Sequence, residues 1–130
     1  VLEAKMSEAE FINRVMEQSK AQLLLDINNV FVNSKNHHYD AKKFLDDLDL
    51  SKTAYIHMAG HYKDDDLDLI IDSHGMPVKE KVWKLLAHTL SKIDCPVMIE
   101  RDNNIPPYKT LEKEYHKLEK IVKKAYHERV

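Results

Sequence analysis

Four short apolar runs in this chain each end in a side chain able to bind a metal: Leu23-Leu24-Leu25-Asp26, Tyr55-Ile56-His57, Leu69-Ile70-Ile71-Asp72-Ser73-His74 and Val97-Met98-Ile99-Glu100. Each run has strand length, and each intervening stretch can hold a helix or a loop. The pattern predicts parallel strands delivering carboxylates and imidazoles to one rim of a sheet, where α/β folds keep their chemistry.

Helical spacing fills the gaps. Ser7-Glu8-Ala9-Glu10 has the capping-box form, and the helix it opens carries Phe11, Ile12, Val15 and Met16 on one stripe to about Ser19. The first strand is expected over Gln22 to Ile27, Leu-rich on both faces as if covered on both sides. Asn28 to Asp40, rich in Asn, Ser and His, reads as a long loop. A short helix follows over Ala41 to Asp47 with Phe44, Leu45 and Leu48 inward, then a strand over Thr53 to Met58. Asp64-Asp65-Asp66 reads as a solvated turn before a third strand, Leu69 to Ile71. Pro77 suits the first turn of a helix with Val78, Val82, Trp83, Leu86, Leu90 and Ile93 on its stripe. The last strand, Val97 to Glu100, precedes a terminal helix burying Leu111, Tyr115, Leu118, Val122 and Ala125. No Asn-Gly hairpin signal occurs, so the expectation is a wholly parallel sheet with right-handed crossovers. Four βα units make half of a barrel.

With 130 residues, the chain is the size of one domain. A formal charge of −2 with the two signs interspersed leaves no nucleic-acid footprint. The locally basic stretch Lys113 to Arg129 is broken by glutamates and reads as a solvated helix face. A lone cysteine, Cys95, excludes an internal disulfide, suits a reducing compartment such as the cytoplasm, and reads as a structural thiol. No signal peptide or membrane-spanning run is seen. Val1-Leu2-Glu3 looks like a strand end, as in a piece of something longer.

The chain has only two glycines, and both follow a candidate ligand at a strand end: Gly60 in His57-Met58-Ala59-Gly60-His61 and Gly75 in Asp72-Ser73-His74-Gly75. Glycine there permits a tight turn and close backbone approach. Asp72 and His74 are two apart, as are Glu100 and Asp102, so an extended segment would point each pair the same way. Asp26 and Asn29 converge only if the backbone turns. Oxygen and imidazole donors without thiolate favour iron, manganese or zinc, and clustered carboxylates call for more than one cation. Singly, each residue has a plainer reading: His57 as a hydrogen-bonded core histidine, Asp26 as a cap, Glu100 as the partner of Arg101, Asp72-Ser73-His74 as a turn. Their recurrence at successive strand ends favours the metal site. His37, His38, His88, His116 and His127 stand outside the pattern. A Ser–His–Asp hydrolase lacks its G-x-S-x-G elbow here, and no phosphate-binding glycine loop appears.

Leu25-Asp26-Ile27-Asn28-Asn29-Val30 with Val32-Asn33-Ser34, Ile56-His57-Met58-Ala59-Gly60-His61, Ile71-Asp72-Ser73-His74-Gly75-Met76-Pro77-Val78 and Ile99-Glu100-Arg101-Asp102-Asn103-Asn104 form an ordered set of segments. Together they resemble the motifs of the multinuclear non-haem iron-dependent oxidative enzymes, the family of the methanobactin-biosynthesis oxidase. The resemblance implies the C-terminal half of a triosephosphate-isomerase-type barrel holding two or three iron ions. It implies oxidation of cysteines in a ribosomally made peptide by dioxygen, often with a small partner protein presenting the leader. It makes Asp26, Asn29, His57, Asp72, His74 and Glu100 metal ligands, with His61 and Asp102 behind them or facing substrate. The remaining ligands would lie in a first half beyond this chain, or a second chain would close the barrel. Two other readings stay open: a zinc or manganese isomerase or hydrolase on a related barrel, and an incomplete fragment without a working site.

Overall fold

The computed structural model describes residues 5–130, so the expected strand end at Val1-Leu2-Glu3 lies outside the described residues. The fold is mixed α/β. Helix α1 (Glu8–Ser19) starts where the Ser7 hydroxyl accepts the Glu10 N–H at 3.1 Å and ends at Lys20, whose φ is 63°. It buries Ala9 and Met16, while Phe11 and Val15 are exposed. The expected stripe is therefore rotated: the helix packs near α3, positions 9 and 16 are buried, Ile12 is packed against the core, and 11 and 15 face out.

Strand β1 (Leu23–Asp26) is shorter than expected, because Ile27 already belongs to helix α2 (Ile27–Asn36). That helix replaces the expected loop. Asp26 caps it by accepting the Asn29 N–H at 2.8 Å, and Ile27, Val30 and Phe31 bury its apolar side. Its many Asn and Ser side chains hid the i, i+3, i+4 spacing beneath. Helix α3 (Ala41–Asp47) and strand β2 (Thr53–Met58) fall where expected.

The sheet is the main correction. β1, β2 and β5 (Val97–Ile99) form a parallel three-stranded sheet in the order β1-β2-β5, an arrangement compatible with part of a TIM-type barrel. Leu69–Ile71 is a strand, β4, but it pairs antiparallel with β3 (Tyr62–Asp64), a strand the acidic run concealed. The hairpin turns without Asn-Gly. The Asp64 carboxylate accepts the N–H groups of Asp66 and Leu67 at 3.0 and 3.1 Å, and Asp68 takes the left-handed position with φ 51°. Asparagine Asn36 ties the hairpin to α2: its amide accepts from the Ile70 N–H at 2.9 Å and donates to the Ile70 carbonyl at 2.8 Å.

Helix α4 (Glu80–Leu90) begins after Pro77 rather than on it, and buries Val82, Trp83, Leu85, Leu86 and Leu90. Helix α5 (Tyr108–Arg129) buries Leu118 and Ala125, but Tyr115, expected inside, is exposed. One face of the sheet, with Leu25, Ile56 and Met58, packs into the helix-covered core. Leu24, Tyr55 and Met98 alternate onto the other face and stay exposed. Among the described residues, no helix is long and apolar enough to cross a membrane.

Candidate metal centre

The C-terminal ends of the parallel strands supply three of the candidate side chains. Asp26 closes β1, His57 lies next to the end of β2, and Glu100 follows β5. Parallel pairing sets Asp26 opposite His57, so two ends share one level. Asp72 and His74 arrive from the hairpin, one and three residues beyond β4.

His74 sits at the middle. Its Nε2 lies 2.9 Å from Asp72 Oδ1 and 3.3 Å from Asp26 Oδ2. Its Nδ1 lies 3.3 Å from Asp102 Oδ2 and 3.5 Å from Glu100 Oε2. Glu100 Oε2 also meets His57 Nδ1 at 2.8 Å. Asn29, on the first turn of α2, donates to Asp72 Oδ2 at 3.2 Å. All six residues expected as ligands, and Asp102, are thus drawn into one cluster. His61 joins through Asn28, whose amide oxygen stands 2.8 Å from His61 Nδ1 and whose nitrogen donates to Asp72.

The convergence of Asp72 and His74 does not come from an extended segment. His74 is left-handed, with φ 51°, a conformation costing a non-glycine residue on the order of 1–3 kcal/mol. Two backbone bonds hold it there: the His74 N–H donates to the Gly60 carbonyl at 3.2 Å, and the His74 carbonyl accepts from Asp102 N–H at 2.7 Å. The strand-end turns after β2, β4 and β5 are therefore cross-linked through this one residue.

The electrostatics favour bound cations. Burial, with Asp72 close by, raises the Asp26 carboxyl above its ordinary range despite the capping bond from Asn29. Burial pulls the His74 imidazole down, but Asp72, Asp26, Glu100 and Asp102 together outweigh it and raise it. Burial and Lys79 lower His61. Four carboxylates around two imidazoles repel one another unless cations neutralise them. Asp26, Asp72 and His74 form one group whose donor atoms lie within 4.8 Å of each other, and His74, Glu100 and Asp102 form a second. Nε2 of His57 and Nε2 of His74 are buried without a hydrogen-bond partner, although carboxylate oxygen lies near the latter. A buried imidazole nitrogen without a partner, at His57, beside a carboxylate-rich cluster suits a metal, and the donor set matches iron, manganese or zinc.

Asn28 is the residue that the sequence reading passed over. Its signal is a polar side chain on the stripe it shares with Phe31 and Val32, visible only once 27–36 is a helix. His37 and His38 are exposed, His88 pairs with Asp46 at 2.7 Å, and His116 and His127 lie on the α5 surface. The Cys95 thiol is half-buried and raised by burial and by Asp94, which suits a structural role.

The pattern defining the RiPP precursor modification enzymes MbnB/TglH/ChrH matches residues 1–123. A UPF0276 protein of Shewanella loihica is 45% identical over 123 residues, which is 94% of this chain and 44% of that protein. One from Shewanella sediminis is 47% identical over 105 residues, 80% of this chain and 37% of its own. One from Pseudomonas aeruginosa is 38% identical over 125 residues, 95% of this chain and 44% of its own. The chain spans less than half the length of these curated relatives.

Proposed function

Because this chain belongs to the RiPP precursor modification enzyme family MbnB/TglH/ChrH, we propose that it forms part of a multinuclear iron-dependent enzyme oxidising cysteines of a ribosomally made peptide with dioxygen. The observation that carries the reading is the meeting of Asp26, Asp72, Glu100, Asp102, His57 and His74, with the buried Nε2 of His57 lacking a hydrogen-bond partner.

In this reading Asp26, Asn29, His57, Asp72, His74 and Glu100 hold the metal. Iron held by these residues would supply the activation of dioxygen that oxidation of a peptide thiol needs. The residues of this chain prepare that site. His74 offers one ring nitrogen beside Asp26 and Asp72, while Asp102 faces the other and fixes the ring, as a carboxylate commonly does for a ligating histidine. Donor groups on the two sides of His74 support more than one ion. The bare sheet face with Leu24, Tyr55 and Met98 lies on the side carrying the ligands, where a closed barrel would place its interior.

Metal analysis of the full-length protein purified without oxygen tests the proposal. Two or more irons per molecule is the expected result. Zinc or manganese in place of iron would point instead to redox-neutral chemistry on the same ligands. Substoichiometric metal would mean that the site does not work. His74→Ala and Glu100→Ala should each strip the metal, and full retention in both would overturn the ligand assignment.

A further inference from the structure

We propose that Asn28 is a positioning residue for this centre, fixing the orientation of the Asp72 carboxylate and the tautomer of His61 through one buried carboxamide. It rests on the reading above only in taking Asp72 as a ligand. Asn28 is fully buried, and each polar atom of its side chain is used. Nδ2 donates to the Gly60 carbonyl at 3.1 Å and to Asp72 Oδ1 at 2.5 Å, while Oδ1 stands 2.8 Å from His61 Nδ1.

Chemistry decides which way this amide points. A backbone carbonyl only accepts, and so does an ionised carboxylate, so the NH2 group must face Gly60 and Asp72. The oxygen left facing His61 can only accept. His61 must therefore carry its hydrogen on Nδ1, which leaves the Nε2 lone pair free to accept a proton or meet a ligand. Phe31, one helical turn on, stacks against the His61 ring at 5.1 Å and 24° and holds its plane. Asn29 binds the other oxygen of Asp72, so two successive asparagines of α2 hold the two oxygens of one carboxylate. The nearer Asp72 oxygen is also the one beside His74 Nε2. Setting the Asp72 plane thus sets the donor atom at the centre of the cluster.

Three measurements on the full-length protein test this. In metal-free protein, nitrogen NMR of His61 should show a protonated Nδ1 and a bare Nε2; the opposite tautomer overturns the His61 part. Asn28→Asp keeps an oxygen toward His61 but removes the donor to Asp72. It should preserve the tautomer while weakening cobalt(II) binding about 10- to 100-fold and changing the cobalt absorption spectrum. Asn28→Ala adds no buried charge, should weaken cobalt binding likewise, and should also lose the tautomer preference. A merely structural role would lower the unfolding midpoint in chelator and leave cobalt affinity and spectrum unchanged. That result in either folded variant overturns the proposal, and so does failure of both variants to fold, because Asn28 would then be a core residue first. Wild-type protein that takes up no cobalt would sink the metal reading, while the tautomer still decides the Asn28–His61 contact.

Discussion

Gly60 and Gly75 are needed for space rather than for dihedral freedom, since neither has a positive φ. A Cβ on Gly60 would lie 2.0 Å from the Met76 carbonyl oxygen and 2.5 Å from that of Pro77, both backbone. The three atoms nearest a Cβ on Gly75 all belong to the Asn103 side chain, with Oδ1 at 1.9 Å. Backbone cannot give way cheaply, whereas an exposed asparagine can swing aside at the cost of its bond to the Ser73 carbonyl. Gly60→Ala should cost about 3 kcal/mol and Gly75→Ala about 1 kcal/mol in urea unfolding; equal losses would contradict this account. His74 supplies the pH dependence. In metal-free protein its folded pKa lies above the ordinary 6.5, so its contribution is fully present below 6.5 and fades as pH rises through the folded value. Asp26 acts in the same direction, because a carboxyl raised above 3.8 binds its proton more tightly in the folded state. In chelator, the stability advantage of wild type over His74→Gln should therefore shrink as pH rises above 6.5. A difference that grows with pH would refute the charge assignment.

At the scale of elements, helix α2 and the β3–β4 hairpin were the segments misread, and for related reasons. In both, polar side chains replace the expected signal: Asp26 caps a helix whose buried stripe includes Asn28 and Ser34, while in the hairpin Asp64 accepts the turn's N–H groups and Asp68 takes the left-handed position a glycine would fill. The hairpin is anchored by Asn36, a contact 34 residues away in sequence that no local pattern announces. Another long-range device joins α5 to the site. Glu114 accepts the Val78 N–H at 3.1 Å and faces the Arg101 guanidinium at 3.5 Å, with both side chains largely buried. Arg101 stands between Glu100 and Asp102, so this pair steadies the segment bearing both carboxylates. Glu114→Ala leaves a buried guanidinium unpaired and should cost about 3 kcal/mol or more. Glu10→Ala, removing the exposed partner of Arg14, should change stability by about 0.5 kcal/mol or less. Chemical denaturation of the two variants side by side checks the contrast.

The whole molecule presents a sheet covered on one face only. Leu24, Tyr55 and Met98 are 44%, 38% and 49% exposed on the uncovered face, and the outer edges of β1 and β5 pair with no strand among the described residues. Exposed apolar area beside open edges drives association. We expect this chain, produced by itself, to form dimers or larger assemblies in sedimentation experiments, and Met98→Lys with Tyr55→Lys to reduce them. A stable monomer would count against barrel closure by a second copy or by further chain.

Local patterning was enough for the α/β class, for two of the three parallel strands with good bounds, and for naming side chains that the fold brings close together, Asn28 excepted. It could do so because strand alternation, capping and strand-end chemistry are local properties. The expected run of four parallel strands was wrong, since pairing partners are a long-range choice and β4 took β3. Long-range contacts make His74 the hub on a left-handed backbone and let Asn28 join His61 to Asp72, which no local pattern in the sequence shows. Those facts depend on segments brought together across tens of residues, and burial is what turns their polar contacts into constraints.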